Sequence, residues 1–233
     1  MSVKIFKTKI ASDETIAKDV RLLKILLTPP DVMDFQAGQF VNILVAPSVR
    51  RSYSIASSPT KNPQIDLIAD TVLGGPGSQF FANAKSGDDI EFLGPMGTFV
   101  YIDSPKPAYY FATGTGVVPF ISMITYALET LNTQRQIKLF LGFRYEESIF
   151  YKEYFENLQV KHPNFEFVLT LSKPVDGWQG RRGRISEHYP QVVEQNKDFD
   201  GYICGSRQMI DDVVARLTTA GVASENIHYE QYY

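Results

Sequence analysis

The spacing of apolar residues changes character once along these 233 residues, at Ser104-Pro105-Lys106-Pro107, and that change limits the fold more than any other feature. Before it, apolar residues recur at every second position: Val3-Ile5, Val20-Leu22, Phe40-Val41-Ile43-Val45, Tyr53-Ile55, Ile65-Leu67 and Ile90-Phe92. Such alternation marks short strands with one buried face. Pro29-Pro30, Ala37-Gly38, Ser58-Pro59, Asn62-Pro63, Gly74-Gly75-Pro76-Gly77 and Gly94-Pro95 punctuate them, so this half is expected to form an antiparallel β-barrel or sandwich. Beyond the link, strands are predicted at Tyr109 to Thr113, Ile137 to Phe143, Phe165 to Leu171 and Gly201 to Cys204. Helical periods fall at Pro119 to Leu131, Tyr151 to Val160 and Met209 to Ala220. Strands alternating with helices predict an α/β domain with a parallel sheet. The expected domains are therefore 1–104 and 105–233, with a ligand cleft between them.

Composition narrows the function. A net charge of −3 lacks the cationic field that a phosphate backbone attracts, so nucleic acid is not an expected partner. No apolar run approaches the roughly 20 residues that cross a bilayer, and the amino terminus leads into a strand pattern instead of a signal sequence; no membrane insertion and a cytoplasmic location are expected. The single cysteine, Cys204, rules out a cysteine-ligated iron–sulfur cluster within these residues. His162, His188 and His228 are scattered, and no metal site is expected.

Several short segments carry chemistry. In Arg51-Ser52-Tyr53-Ser54, extended backbone puts Arg51 and Tyr53 on one face and Ser52 and Ser54 on the other. Arginine can fork onto a pyrophosphate and tyrosine can lie against a flat ring; the same residues also suit an edge strand with a surface cation and a packed aromatic. Gly74-Gly75-Pro76-Gly77-Ser78 precedes a predicted helix over Gln79 to Ala84, whose leading N–H groups suit phosphate oxygens, with Ser78 adding a hydroxyl donor. An ordinary capped helix after a turn reads the same way. Gly114-Thr115-Gly116-Val117-Val118-Pro119 follows a buried strand and opens a helix, the setting of a dinucleotide loop, with Pro119 standing where a third glycine is usual. Cys204-Gly205 ends a predicted strand, the edge at which open α/β sheets bind ligands, although a lone cysteine also suits a core. The final residues, His228-Tyr229-Glu230-Gln231-Tyr232-Tyr233, gather aromatic rings and a carboxylate.

The order of these segments, with Gly94-Pro95-Met96-Gly97 between the second and third, resembles the ferredoxin-NADP reductase superfamily across nearly the whole chain. Within it the chain is most similar to compact bacterial reductases and to the flavin/nicotinamide portions of oxygenase reductases. The resemblance implies a barrel that carries FAD and an α/β domain that carries NAD(P)H as hydride donor. It further implies that Arg51 and Ser52 line the FAD site with Arg51 on the pyrophosphate, that Tyr53 packs on the flavin, and that Ser54 approaches flavin N5. Gly75, Gly77 and Ser78 would hold FAD phosphates; Gly114, Thr115 and Gly116 would meet the nicotinamide nucleotide's phosphates; Cys204 and Glu230 would lie near its nicotinamide. Tyr232 would cover the flavin's other face, but Tyr233 follows it here, so which of the two rings stacks stays open.

The implied reaction is hydride transfer from nicotinamide C4 to flavin N5, followed by delivery of electrons to a separate ferredoxin or other iron–sulfur protein. An NAD(P)H:flavin reductase acting on free flavin and a non-catalytic flavin-binding electron-transfer subunit or sensor are the alternatives. Ser172, Lys173 and Arg181, with Arg182 beside it, supply donors for a 2′-phosphate, yet Leu171-Ser172-Lys173-Pro174 with Gly177-Trp178-Gln179-Gly180-Arg181 also resembles NADH-using oxygenase reductases. The choice between NADH and NADPH stays undivided.

Overall fold

The structure, a computed structural model, describes residues 3–28, 32–72 and 74–231. Packing divides the chain into two compact units, Met1–Tyr101 with Val118–Asn132 and Ile102–Val117 with Thr133–Tyr233. In the first, six strands, β1 (Lys4–Ala17), β2 (Val20–Leu26), β3 (Phe40–Ala46), β4 (Val49–Ser54), β5 (Gln64–Asp70) and β6 (Asp89–Met96), pair antiparallel in the order β4-β3-β6-β1-β2-β5. An antiparallel bridge between Ile55 and Leu67, with Ala56 N–H donating to Asp66 O at 2.8 Å, joins the two ends and closes the barrel. Alternation places Val41, Ile43, Leu23, Ile25, Ile65, Leu67, Ile90 and Phe92 inside, and Phe6 stacks on Phe92 with centroids 5.2 Å apart.

β1 runs much further than the predicted Val3-Ile5. Its second half, through Ser12-Asp13-Glu14, pairs with β2 across two register shifts, and bulges displace side chains from strict alternation, so the apolar pattern there is lost. The helix expected from Gln79 is α1 (Pro76–Asn83), which starts three residues earlier. Pro76 at the first helical position has its φ already set for a helix and has no N–H to lose, which moves the start into the glycine segment.

The second unit is a six-stranded, wholly parallel sheet of β7 (Ala108–Thr113), β8 (Ile137–Phe143), β9 (Phe165–Leu171), β10 (Arg181–Arg182), β11 (Asp200–Gly205) and β12 (Ile227–Gln231), in the order β10-β9-β8-β7-β11-β12. The central strands are buried on both faces, which is why they read as continuous apolar runs. Helices α3 (Lys152–Lys161), α4 (Pro190–Gln195) and α5 (Arg207–Ala220) accompany it; α5 opens on Ser206, whose Oγ accepts from Met209 N–H, and closes on Gly221 at φ +89°. The helical segment predicted at Pro119 to Leu131 is a 3₁₀ turn over Gly114–Val117, an α-helix α2 (Val118–Thr125) and a π-helical turn over Tyr126–Thr130. The carboxy-terminal segment is not frayed through Gln231: as β12 it lies along β11. Among the described residues no helix is long and apolar enough to cross a membrane.

Candidate functional site

In the barrel unit, β4 delivers Arg51 and Tyr53 to the start of α1. A Cβ on Gly77 would fall on the Tyr53 hydroxyl and lie 3.4 Å from Arg51 Cγ, so the two side chains share the face expected of them and meet bare backbone there. The Tyr53 ring sits 4.6 Å from that of Phe81 on α1, and burial pushes its phenol up to about 12 against the opposing pull of the Arg51 guanidinium. Tyr53 therefore stays a neutral hydroxyl. Arg51 is exposed and donates to its neighbour's carbonyl, Arg50 O, at 2.8 Å. Ser52 is exposed opposite Asn42 in the ladder, whereas Ser54 is buried opposite Phe40.

The ladder of α1 begins with Gln79 N–H on Gly75 O at 3.0 Å, which leaves the N–H groups of Gly77 and Ser78 ahead of it. The Ser78 hydroxyl donates to Gly75 O at 2.9 Å, so its proton is engaged within the turn and the backbone amide is the donor it leaves for an anion. A cation, a half-buried aromatic ring, leading amides and a glycine that no side chain fills together fit a flavin dinucleotide.

In the sheet unit the second constellation lies at the carboxyl ends of β7 and β11. Gly114 takes φ +54°, turning the chain sharply after Thr113. A Cβ on Gly116 would fall on the Cys204 carbonyl oxygen, with the carbonyl carbon and Gly205 Cα both 2.6 Å away. Gly116 is thus required for close approach of the loop to the end of β11, while Gly114 and Thr115 lie half-exposed above it. Cys204 is fully buried, and the parallel register sets Glu230 beside it and Gln231 beside Gly205. Thr113, which the sequence reading passed over, ties the two ends: its Oγ1 accepts from Ser206 N–H at 3.4 Å, at the start of α5. A threonine ending a strand carries no distinguishing signal of its own. Tyr232 and Tyr233 lie outside the described residues.

The third group is displaced along the same sheet, past β8. Ser172 N–H donates to Phe143 O and Lys173 N–H to Arg144 O, extending the β8–β9 pairing, and both side chains are exposed. Arg181 pairs with Thr170 in the short edge strand β10. A cleft of about 750 Å³ opens beside it, lined by Phe167, Leu169, Trp178, Lys152, Asp176 and Arg181 among others. The structure therefore gathers Arg51, Tyr53, Gly77 and Ser78 in one unit, and Gly114, Thr115, Gly116, Cys204 and Glu230 in the other, with Ser172, Lys173 and Arg181 at that second sheet's edge.

A barrel with an anion-receiving helix start and a parallel sheet with a glycine turn at its carboxyl edge define a flavin- and nicotinamide-nucleotide-dependent oxidoreductase. A family model described as an oxidoreductase FAD-binding domain matches residues 7–101, and one described as an oxidoreductase NAD-binding domain matches residues 111–215. Ferredoxin–NADP reductase B of Sorangium cellulosum is 31% identical, with 97% of each chain covered. The reductase component of phenol 2-monooxygenase from a Pseudomonas species is 34% identical over 94% of this chain, which spans only 63% of that longer protein. Among solved structures, an Amycolatopsis cytochrome P450 reductase superposes with TM-score 0.90 at 26% identity, covering 98% of this chain and 70% of that one. A Neisseria gonorrhoeae ferredoxin–NADP⁺ reductase with bound FAD and NADP shares the fold at TM-score 0.83 and 21% identity, with 99% of each chain covered. The chain belongs to the ferredoxin-NADP reductase family. It is an NAD(P)H-dependent flavoprotein reductase that uses FAD.

Proposed function

We propose that the protein oxidises NAD(P)H and passes the electrons, through FAD, to a separate iron–sulfur protein, either a ferredoxin or the iron–sulfur component of an oxygenase. The observation that carries this reading is the end-to-end match to a ferredoxin reductase, 97% of both chains, by a chain whose one cysteine, Cys204, is buried in the sheet. A cluster held by cysteine thiolates needs several of them, so these residues hold no such cluster and the acceptor's iron–sulfur centre lies outside them.

Bound FAD supplies the redox chemistry, taking a hydride and releasing electrons singly; the side chains bind, orient and shield. On this reading residues 1–104 form the FAD domain and 105–233 the NAD(P)H domain. Arg51 and the Gly77 and Ser78 amides hold the FAD pyrophosphate near Gly75, Tyr53 packs on the flavin as a neutral hydroxyl, and Ser52 and Ser54 border the same site, Ser54 toward flavin N5. Gly114, Thr115 and Gly116 receive the nicotinamide nucleotide's phosphates, Cys204 and Glu230 border its nicotinamide, and Ser172, Lys173 and Arg181 face its adenosine end. Tyr232, or Tyr233 after it, is the ring that covers the flavin's other face.

The test is anaerobic stopped-flow of the flavin-loaded protein with NADH and NADPH in parallel, followed by mixing with an oxidised ferredoxin. Rapid bleaching of the flavin by one nucleotide and its reoxidation by the iron–sulfur protein are expected. Bleaching followed by reoxidation with free flavin alone, and none with iron–sulfur proteins, overturns the acceptor.

A further inference from the structure

The edge strand β10 has only two ladder positions, Arg181 opposite Thr170 and Arg182 opposite Leu171. So short a strand, exposed on its outer side, is held weakly by its own ladder. Besides the Gly183 N–H, which donates to Leu171 O at 2.9 Å, a set of side chains is aimed at the carbonyls of this segment. Trp178 Nε1–H donates to Arg181 O at 3.1 Å, His188 Nε2 lies 2.9 Å from Arg182 O, and the Thr170 hydroxyl donates to Gly183 O at 2.8 Å. Three consecutive carbonyls are each met by a different side chain. A carbonyl can only accept, so His188 Nε2 carries the hydrogen; Thr170 Oγ1, 3.2 Å from the same nitrogen, has already committed its proton to Gly183.

The two arginines differ in consequence. The Arg182 guanidinium folds back onto the preceding loop, donating to Trp178 O at 3.3 Å and Val175 O at 3.5 Å. Arg181 instead lines the neighbouring cleft. His188 reaches this strand from the turn after Ile185, whose side chain is buried in the core of the sheet unit. It thereby links the exposed edge to the interior.

We infer that His188 is a positioning residue for nicotinamide-nucleotide binding, fixing the β10 backbone so that Arg181 is presented to the adenosine end of the ligand. This rests on the reading of Arg181 as a nucleotide-binding residue. His188 touches no ligand; its effect passes through the Arg182 carbonyl.

The experiment uses the flavin-loaded protein and the variants His188→Ala, His188→Gln and Arg181→Ala, with NAD⁺ and NADP⁺ titrated calorimetrically and KM and kcat measured for the reduced forms. For His188→Ala the dissociation constant of the better-bound nucleotide and its KM are expected to rise about five- to tenfold, the size of one lost positioning hydrogen bond, with kcat and flavin content retained. Glutamine, whose amide nitrogen can occupy the place of Nε2, is expected to restore most of the loss. Unchanged binding in His188→Ala, a failure of glutamine to rescue, or a parallel loss of kcat and flavin overturns the inference. Arg181→Ala separates the two readings: weakened binding there with none in His188→Ala removes the positioning role alone, whereas unchanged binding in Arg181→Ala removes the nucleotide reading and this inference with it.

Discussion

Replacing Arg135 by methionine tests the most concentrated polar arrangement of the sheet unit. Its guanidinium donates from Nε to Lys106 O at 2.6 Å, from one terminal nitrogen to Ile102 O at 2.8 Å, and from the other to the Asp200 carboxylate at 2.7 Å. Arg135 and Asp200 side chains are 1% and 7% exposed, so this is a buried ion pair, and it fastens the segment leading into β7 to the start of β11. Methionine fills similar space but leaves the carboxylate uncompensated, a change that costs about 3–5 kcal/mol in buried pairs. For a chain of this size that lowers the midpoint of thermal unfolding by on the order of 6–20 °C. Trp178, the one tryptophan, lies in the sheet unit, so its fluorescence reports the transition. The double variant Arg135→Met with Asp200→Leu removes the stranded charge as well and is expected to recover part of the loss, the remainder being the two carbonyls left without donors. A midpoint within about 2 °C of the parent for Arg135→Met would refute the assignment of this pair as a clamp.

Other outcomes follow from the two nucleotide sites. Arg51→Ala is expected to weaken FAD by about 1.5–3 kcal/mol, a roughly ten- to 150-fold rise in Kd by flavin titration, and equal constants would reject its pyrophosphate role. Gly116→Ala drives a methyl into the backbone of Cys204 and Gly205, so a loss of about 1–3 kcal/mol of stability and weaker NAD(P)H binding with FAD retained are expected; parental nucleotide affinity would show that the loop does not need that approach. Burial holds His228 below its ordinary 6.5 while Asp200, itself bridged to Arg135, pulls it up, so the unfolded chain binds the proton first. The stability this contributes is full above about pH 6.5 and is lost as pH falls through the folded-state value; a thermal midpoint that drops as steeply in His228→Asn as in the parent would exclude it. If a terminal tyrosine covers the flavin it must move aside for the nicotinamide to stack, so removing Tyr232-Tyr233 is expected to change NAD(P)H affinity while FAD stays bound, and unchanged pyridine-nucleotide kinetics would refute that role.

How much of this was legible depended on whether a residue's job leaves a local trace. β8 and β9 match their predicted bounds at Ile137–Phe143 and Phe165–Leu171: β8 is buried along nearly its whole length and reads as a dense apolar run, and β9 carries Phe165, Phe167, Val168, Leu169 and Leu171 with Glu166 the one exposed side chain in the strand. The second half of β1 left none: a bulged strand carrying Ser12, Asp13 and Glu14 gives no alternation to find. β10 was invisible as a strand for a different reason, since two arginines have no periodicity at all and their extended geometry is imposed by Thr170, Trp178 and His188, whose pairing with this backbone leaves no pattern in the sequence. The glycine segments were found, yet only coordinates separate their tasks. Gly114 supplies a left-handed turn, whereas Gly116 makes room for another strand's carbonyl.

That distinction bears on how the sites are built. At Gly77 the missing side chain makes room for Tyr53 and Arg51, which arrive from β4; at Gly116 it makes room for the end of β11, which arrives from far along the chain. In each case a glycine that reads as a phosphate-binding position is also where two distant segments are brought together. A side chain there would therefore displace the neighbouring element. The expected signature is coupling: substitution at Gly77 should shift the environment of Tyr53, and substitution at Gly116 the pairing of β11 with β12, each together with the affinity for the nucleotide proposed to bind there. The sequence order of segments carries the family, but no motif records the three carbonyl contacts at β10, which span 3, 6 and 13 residues, or the Arg135 clamp, which spans 29, 33 and 65.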